Sequence, residues 1–223
     1  MHWILSTTDT FLLRKTIKQS PWILHAPFRT THTGDQLLRI ERISSQKTVA
    51  VVIAHQNAKL VIHTSSNLTG SEIEEMTLRA RRMLSLGEDF KPFLNLIETK
   101  PLPKNETIVS PTILRGATLF EDVIRATALV WYPEGHFDAH RFSWLVEHFG
   151  DPLPSNPTLH AFPNPSQILQ GQQTVTDRLN PAVGSTIIHV AKVFESQAYK
   201  IGTIVDKRKP SLDVSDNLKQ LFL

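Results

Sequence analysis

The sequence contains no cysteine, and this absence excludes several kinds of site at once. Disulfide bonds, a thiol nucleophile, a zinc–thiolate centre and an iron–sulfur cluster all require cysteines that this chain does not have. No apolar run approaches the roughly 20 residues that a membrane-spanning helix needs. The first residues, Met1–Ser6, lack the basic and apolar regions of a secretory signal peptide. We therefore expect a cytoplasmic protein with no membrane partner.

The chain also lacks a strong excess of charge of either sign. It has 24 Lys or Arg and 21 Asp or Glu in 223 residues, and 40% of its residues are hydrophobic, as in an ordinary globular protein. The basic residues are unevenly distributed, because residues 1–50 carry seven Lys or Arg against three acids. Such a bias permits contact with phosphate groups but does not require it, since a solvated surface has the same composition.

The first part of the chain has the composition of β-strands. Residues 37–43, 48–54 and 59–64 are apolar or rich in β-branched side chains and are separated by short polar breaks, which predicts an antiparallel meander. A helix is predicted to follow, with a capping box formed by Ser71 and Glu74 and an end at Gly87.

The second part of the chain has helical periodicity. A second capping box at Thr118–Glu121 predicts a helix whose apolar positions extend to Trp131. Further helices are predicted over residues 90–97, over 137–149 and after Asn180–Pro181, while the five prolines of residues 151–165 predict a loop. We therefore predict an α+β protein with two domains, residues 1–87 and 88–223.

No self-sufficient catalytic motif is present. A glycine-rich phosphate loop, a His-Glu-x-x-His motif and a nucleophile elbow are all missing from the sequence. His136 and His140 have the spacing of two ligands on one helix face, but no third ligand is evident, so we expect no metal or other cofactor. The adjacent acids Glu121 and Asp122 are interpreted as helix-start residues rather than as an acid–base pair. Trp131-Tyr132 closes a core-facing helix, and its rings either pack in the core or stack on a base.

The segment at residues 112–125, T-I-L-R-G-A-T-L-F-E-D-V-I-R, resembles the helix-hairpin-helix DNA glycosylases, which include 8-oxoguanine and 3-methyladenine glycosylases. Residues 145–150 (L-V-E-H-F-G) and 161–169 (A-F-P-N-P-S-Q-I-L) are similar to two later strips of that family and follow in the same order. Upstream, residues 22–28, the strand meander and residues 79–84 resemble the TBP-like sheet domain of the family. The resemblance implies an N-terminal antiparallel TBP-like sheet with a helix, followed by an incomplete all-α glycosylase domain.

The resemblance implies a role in base excision repair, in which the protein binds double-stranded DNA and flips a damaged base into a pocket. The predicted DNA-binding residues are Trp131, Tyr132, Arg115 and His136. Trp131 stands where the family usually has Asn or Gln, and an aromatic wedge can fill the gap left by a flipped base. In the family, an aromatic and a basic residue often follow the glycine that corresponds to Gly184. This chain has Ser185 and Thr186 at those positions.

The last residues, Asp213–Leu223, predict a helix with Leu218, Leu221 and Phe222 on one face. In the family this helix leads into the hairpin P-G-[IV]-G and a later catalytic Asp, so no catalytic residue can be assigned to this chain. We expect the chain alone to be inactive and to need a complementing C-terminal polypeptide. The alternatives are a non-catalytic DNA-binding or protein-interaction module that covers this face by self-association, and an α+β domain whose similarity to the family is accidental.

Overall fold

A computed structural model of the protein describes residues 1–7, 11–56, 59–88, 114–130 and 139–196. Within these ranges the strands are β1 (His2–Leu5), β2 (Phe28–Thr30), β3 (Gln36–Ser44), β4 (Lys47–Gln56), β5 (Lys59–Thr64), β6 (Pro152–Leu153) and β7 (Asn156–His160). The helices in the same ranges are α1 (Leu13–Gln19), α2 (Gly70–Met83), α3 (Leu119–Val130), α4 (Ala139–Phe149), α5 (Pro165–Gln170), α6 (Gln172–Arg178) and α7 (Pro181–Ser196). A single 3-10 turn, Pro21–Leu24, precedes β2.

The chain forms two compact units. The N-terminal unit comprises Met1–Thr118 together with Asp151–Phe162, and the helical unit comprises Leu119–Gly150 together with Pro163–Leu223. The domain boundary predicted between residues 87 and 88 stays a prediction. The predicted α+β class is confirmed, since an antiparallel sheet with helices is followed by a run of helices.

A five-stranded antiparallel sheet with the order β1-β5-β4-β3-β2 forms the base of the N-terminal unit. The three strands predicted as a meander are β3, β4 and β5, and each pairs with its neighbour in the chain. Strand β1 was not predicted, because only four residues form it. It pairs with β5, with His2 opposite His63.

The core of the N-terminal unit lies between one face of the sheet and the helices α1 and α2. Alternate strand residues point into it, as the two-residue period of a strand requires. The indole Nε1 of Trp3 on β1 donates a hydrogen bond to Thr77 Oγ1 on α2 at 2.9 Å, which joins the edge of the sheet to the helix. Buried members of this core include Leu13 and Ile17 on α1, Leu37, Val51, Ile53, Leu60 and Ile62 on the strands, and Met76, Ala80 and Met83 on α2.

Helix α2 begins two residues earlier than predicted. The capping box is formed by Thr69 and Glu72, whose side chains each bond to the other's backbone N–H, and not by Ser71 and Glu74. The sequence contains two overlapping capping-box patterns, Thr69–Glu72 and Ser71–Glu74, and the packing of the flanking residues favours the first. With Thr69 as the cap, the flanking Leu68 and Ile73 both join the apolar core as a hydrophobic staple.

The same helix also ends earlier than predicted. The predicted end was Gly87, whereas the last helical residue is Met83. The chain then leaves the helix through Ser85, which adopts the left-handed conformation at a φ of 52°. A non-glycine residue in this region is uncommon, and sequence rules therefore place the exit at a glycine.

The predicted loop at residues 151–165 is wrong in part, because it contains the hairpin β6–β7. Proline is compatible with a strand that has a free edge, and Pro152 and Pro157 lie in this short two-stranded sheet. Leu153 and Ala161 of the hairpin segment pack on Ile40 of β3. The hairpin therefore belongs to the N-terminal unit, where it forms a second, smaller apolar cluster with Ile40, although helices precede and follow it in the sequence.

The helical unit contains helices α3 to α7. Helix α7 begins at Pro181, as predicted, and Asn180 Oδ1 accepts a hydrogen bond from the N–H of Ala182 at 3.0 Å. A Cβ added to Gly184 would lie 3.2 Å from the carbonyl oxygen of Val175, so the glycine allows α7 to approach α6 closely. The predicted apolar face of α7 is confirmed as buried, with Val183, Ile187, Val190, Ala191 and Phe194.

In the part of the chain that the structure describes, no helix has the length and apolar character to cross a membrane.

Candidate nucleic-acid interface

Of the four predicted DNA-binding residues, Arg115 is described by the structure. Its guanidinium Nη1 lies 3.1 Å from Glu88 Oε1, and the two side chains are 37% and 50% exposed. Its backbone N–H donates to the carbonyl oxygen of Met83 at 2.9 Å, which ties this part of the backbone to the end of α2. An exposed ion pair of this kind is worth at most about 1 kcal/mol, so Glu88 holds the Arg115 side chain only weakly.

The other three predicted residues, Trp131, Tyr132 and His136, lie outside the described residues. The chain that leads to them is described up to Val130, the last residue of α3. His140, the second histidine of the predicted pair, lies on α4, and its side chain is not described. The four candidates therefore stay predictions, and the structure gives the helix from which two of them follow.

Helix α3 is held by an apolar face that packs on α7. Phe120 and Phe194 have ring centroids 5.2 Å apart, and Ile124 is fully buried one turn after Phe120. Ala128 continues the same face near the end of the helix and is 8% exposed. The spacing of these residues follows the helical period, as predicted. This packing fixes α3 along most of its length.

A buried ion pair lies within α3, and its arginine contacts α4. Arg125 Nη2 donates to Glu121 Oε1 at 2.7 Å, and both side chains are 1% exposed. The guanidinium of Arg125 also lies 5.1 Å from the ring centroid of Phe142 on α4, in a cation–π contact. Glu121 was predicted as a residue of the helix start, and the structure adds this buried pair. The four-residue spacing between an acid and an arginine could have indicated it.

An aromatic cluster that the sequence analysis missed lies at the C-terminal end of α4. The rings of Trp144 and His148 stack with centroids 5.1 Å apart, and Phe149 meets both rings edge-on. Arg178 of α6 lies 5.9 Å from the centroid of the Trp144 ring. Gly171 leaves room for Phe149, because a Cβ added to Gly171 would lie 2.1 Å from the Phe149 ring. The cluster therefore packs the end of α4 against the junction of α5 and α6.

The pKa shifts of described groups belong to the N-terminal unit and have structural causes. Hydrogen bonds from Thr31 and Thr33 lower the pKa of Asp35, and a hydrogen bond from Lys47 lowers the pKa of Glu72. Within the described ranges, no three or more His, Asp or Glu residues are grouped so that they could hold a metal ion.

The sequence matches no family model and no curated protein. Its structure is similar to that of a 3-methyladenine DNA-glycosylase from Archaeoglobus fulgidus, with a TM-score of 0.58 and 16% sequence identity. The similarity covers 86% of this chain and 66% of the glycosylase chain, so this chain corresponds to just under two thirds of that protein. At this identity the comparison shows a DNA glycosylase-like fold and does not by itself assign an activity.

Proposed function

We propose that this protein binds double-stranded DNA that carries a damaged base and turns that base out of the helical stack, as a DNA glycosylase-like protein of base excision repair. The observation that carries the proposal is the glycosylase-like fold, which extends over 86% of the chain. The ordered sequence strips at residues 112–125, 145–150 and 161–169 support the same function.

The anchoring of α3 supports a role for the residues that follow it. A side chain that fills the space of a flipped base must be held firmly, because unstacking a base step costs a few kcal/mol. Helix α3 meets this requirement through Phe120, Ile124 and the contact of Arg125 with Phe142. We assign to Trp131 the role of the wedge and to Tyr132 that of a second stacking surface.

Arg115 and His136 are proposed to contact phosphate groups. Contacts of this kind orient a protein on the duplex without reading its sequence. For Arg115 the proposal is supported by its exposed guanidinium and its weak pair with Glu88. A complementing polypeptide, a second copy of the chain and a cytoplasmic location stay predictions of the sequence.

We propose no catalytic residue within the 223 residues, and we expect no excision by this chain alone. The test combines two measurements on one fluorescent duplex, with and without a 3-methyladenine analogue. Fluorescence anisotropy should show tighter binding to the damaged duplex, because a damaged base costs less to unstack. A gel assay for abasic sites should show no cleavage of the N-glycosidic bond.

Two variants test whether Trp131 causes the preference for the damaged duplex. Trp131→Ala should weaken binding to the damaged duplex about 5-fold to 100-fold, which corresponds to the loss of one stacked ring. Trp131→Phe keeps an aromatic ring and should retain most of the preference. Equal affinity of the unaltered chain for damaged and undamaged duplexes would contradict the proposed function, and base excision by the chain alone would contradict the expected inactivity.

A further inference from the structure

Helix α1 of the N-terminal unit presents three cations to solvent. Arg14, Lys15 and Lys18 are all exposed, whereas Leu13 and Ile17 on the opposite side are buried in the core. Residues three and four apart are neighbours on a helix, so Lys18 lies next to both Arg14 and Lys15. These three side chains are called the α1 surface.

The turn between β2 and β3 lies beside this surface. A Cβ added to Gly34 would lie 3.6 Å from Cε of Lys18, which places the lysine stem against the turn. The one acid of this turn, Asp35, accepts hydrogen bonds from the hydroxyls of Thr31 and Thr33, each at 2.6 Å. These bonds are the main reason for the lowered pKa of Asp35, and the charge of Arg14 makes a smaller contribution.

The remaining positive charge of the α1 surface is not neutralised within the part of the chain that is described. There, Lys15 and Lys18 form no ion pair with any acid, and Asp35 offsets one of the three cations. Like charges four residues apart, as in Arg14 and Lys18, destabilise a helix. An external anion would remove this repulsion.

Resting on the proposed function, we infer that the α1 surface binds the phosphate backbone of double-stranded DNA, in addition to the contacts assigned to Arg115 and His136. Lysine and arginine side chains neutralise DNA phosphates and release bound counterions, which makes binding depend on salt. An anionic membrane is the less favoured partner. A helix that inserts into a membrane surface exposes an apolar face, and the apolar residues of α1 are buried.

The test measures how the affinity of the whole chain for an undamaged duplex depends on salt between about 50 and 200 mM. The variant Arg14→Gln, Lys15→Gln, Lys18→Gln removes the α1 surface. The slope of log affinity against log salt should become shallower by about 2 to 3, and affinity at about 100 mM salt should fall at least about 10-fold. Lys18→Gln alone should reduce the slope by about 1, which keeps the test valid if the triple variant folds poorly.

A matched control removes three exposed cations that are scattered over the chain, with the substitutions Arg29→Gln, Lys59→Gln and Lys192→Gln. An equal loss of slope in this control would overturn the inference, since only net charge would then matter. Full DNA affinity in the α1 variants would overturn it and leave the proposed function intact. Loss of binding to phosphatidylserine vesicles without loss of DNA binding would overturn it in favour of a membrane. Failure of the unaltered chain to bind any duplex would instead overturn the proposed function.

Discussion

Each unit buries a glutamate that bonds to an arginine, but the two glutamates differ in which elements of the fold their bonds connect. In the N-terminal unit Glu41 of β3 bonds to Arg39 of the same strand and to Arg79 of α2, so its carboxylate joins the sheet to a helix. In the helical unit Glu121 bonds to Arg125 one turn further along the same helix.

The sites also differ in how far their arginine side chains are exposed to water. Arg79 is 19% exposed and also bonds to Glu75 and to the carbonyl oxygen of Arg42, at 2.8 Å for the latter. Glu121 and Arg125 are both 1% exposed. Arg79 thus keeps some access to water, whereas the pair in α3, the helix that leads to Trp131, has almost none. Substitutions in α3 should therefore be the more damaging ones.

The largest effect is expected for Arg125→Met. This change removes the cation from Glu121 at a site with almost no access to water, and breaking such a pair costs about 3–5 kcal/mol. The free energy of unfolding should be measured by urea titration with circular dichroism. Adding Glu121→Gln to Arg125→Met should recover part of the loss, because no buried charge then remains in the pair. A loss below about 1 kcal/mol would show that the buried pair does not stabilise α3.

Gly171→Ala should have the next largest effect. The added Cβ would meet the Phe149 ring, and overpacking of this kind costs about 1–3 kcal/mol. Gly70→Ala is the control in the N-terminal unit, because a Cβ there has nothing within 4 Å and Gly70 is the first residue of α2. The control should be neutral or slightly stabilising. Equal melting temperatures for the two variants would contradict the packing described at Phe149.

A smaller effect is expected for Arg79→Met. Glu41 keeps its bond to Arg39 and Arg79 is 19% exposed, so the loss should lie near the lower end of the roughly 1.5–3 kcal/mol of a hydrogen bond to a charged group. The measurement is the same urea titration as for Arg125→Met. If Arg79→Met were the more destabilising of the two, the contrast between the partly exposed and the fully buried arginine would be wrong.

The smallest effect is expected for Glu72→Gln. The hydrogen bond from Lys47 lowers the pKa of Glu72 below its usual 4.5, so this contact stabilises the fold at neutral pH. The contribution should disappear as the pH falls below 4.5 and through the lowered pKa. Glutamine can still form the capping box with Thr69, so the difference in melting temperature between the two proteins should be small at pH 7 and absent near pH 2. Lys47→Gln should behave in the same way.

The sequence predicted much of the sheet and the long helices because their patterns are local. The β-branched residues of β4 and the buried face of α7 with Val183 and Ile187 follow the periods of a strand and a helix. Helix α1 was missed, since it has seven residues and no side-chain hydrogen bond at its cap, Leu12. The hairpin β6–β7 was missed because its stability depends on contact with Ile40, more than 100 residues away in the chain.

The sequence could predict which types of residue lie in the candidate site, but not how those residues pack. The strip at residues 112–125 pointed to α3, but the burial of Arg125 over Phe142 depends on how α4 packs. The cluster around Trp144 likewise depends on Gly171 and Arg178, which lie on the segment that follows β7. Contacts between distant parts of the chain are set by tertiary packing, which local patterns do not encode.

The most direct test of the central claim is a base-flipping measurement. A duplex with 2-aminopurine next to a 3-methyladenine analogue is titrated with the 223-residue chain, and the fluorescence of 2-aminopurine is recorded. If the chain turns the damaged base out of the stack, the neighbouring 2-aminopurine loses stacking and its fluorescence rises, and the rise is lost in Trp131→Ala. Saturated binding with unchanged fluorescence would contradict the account.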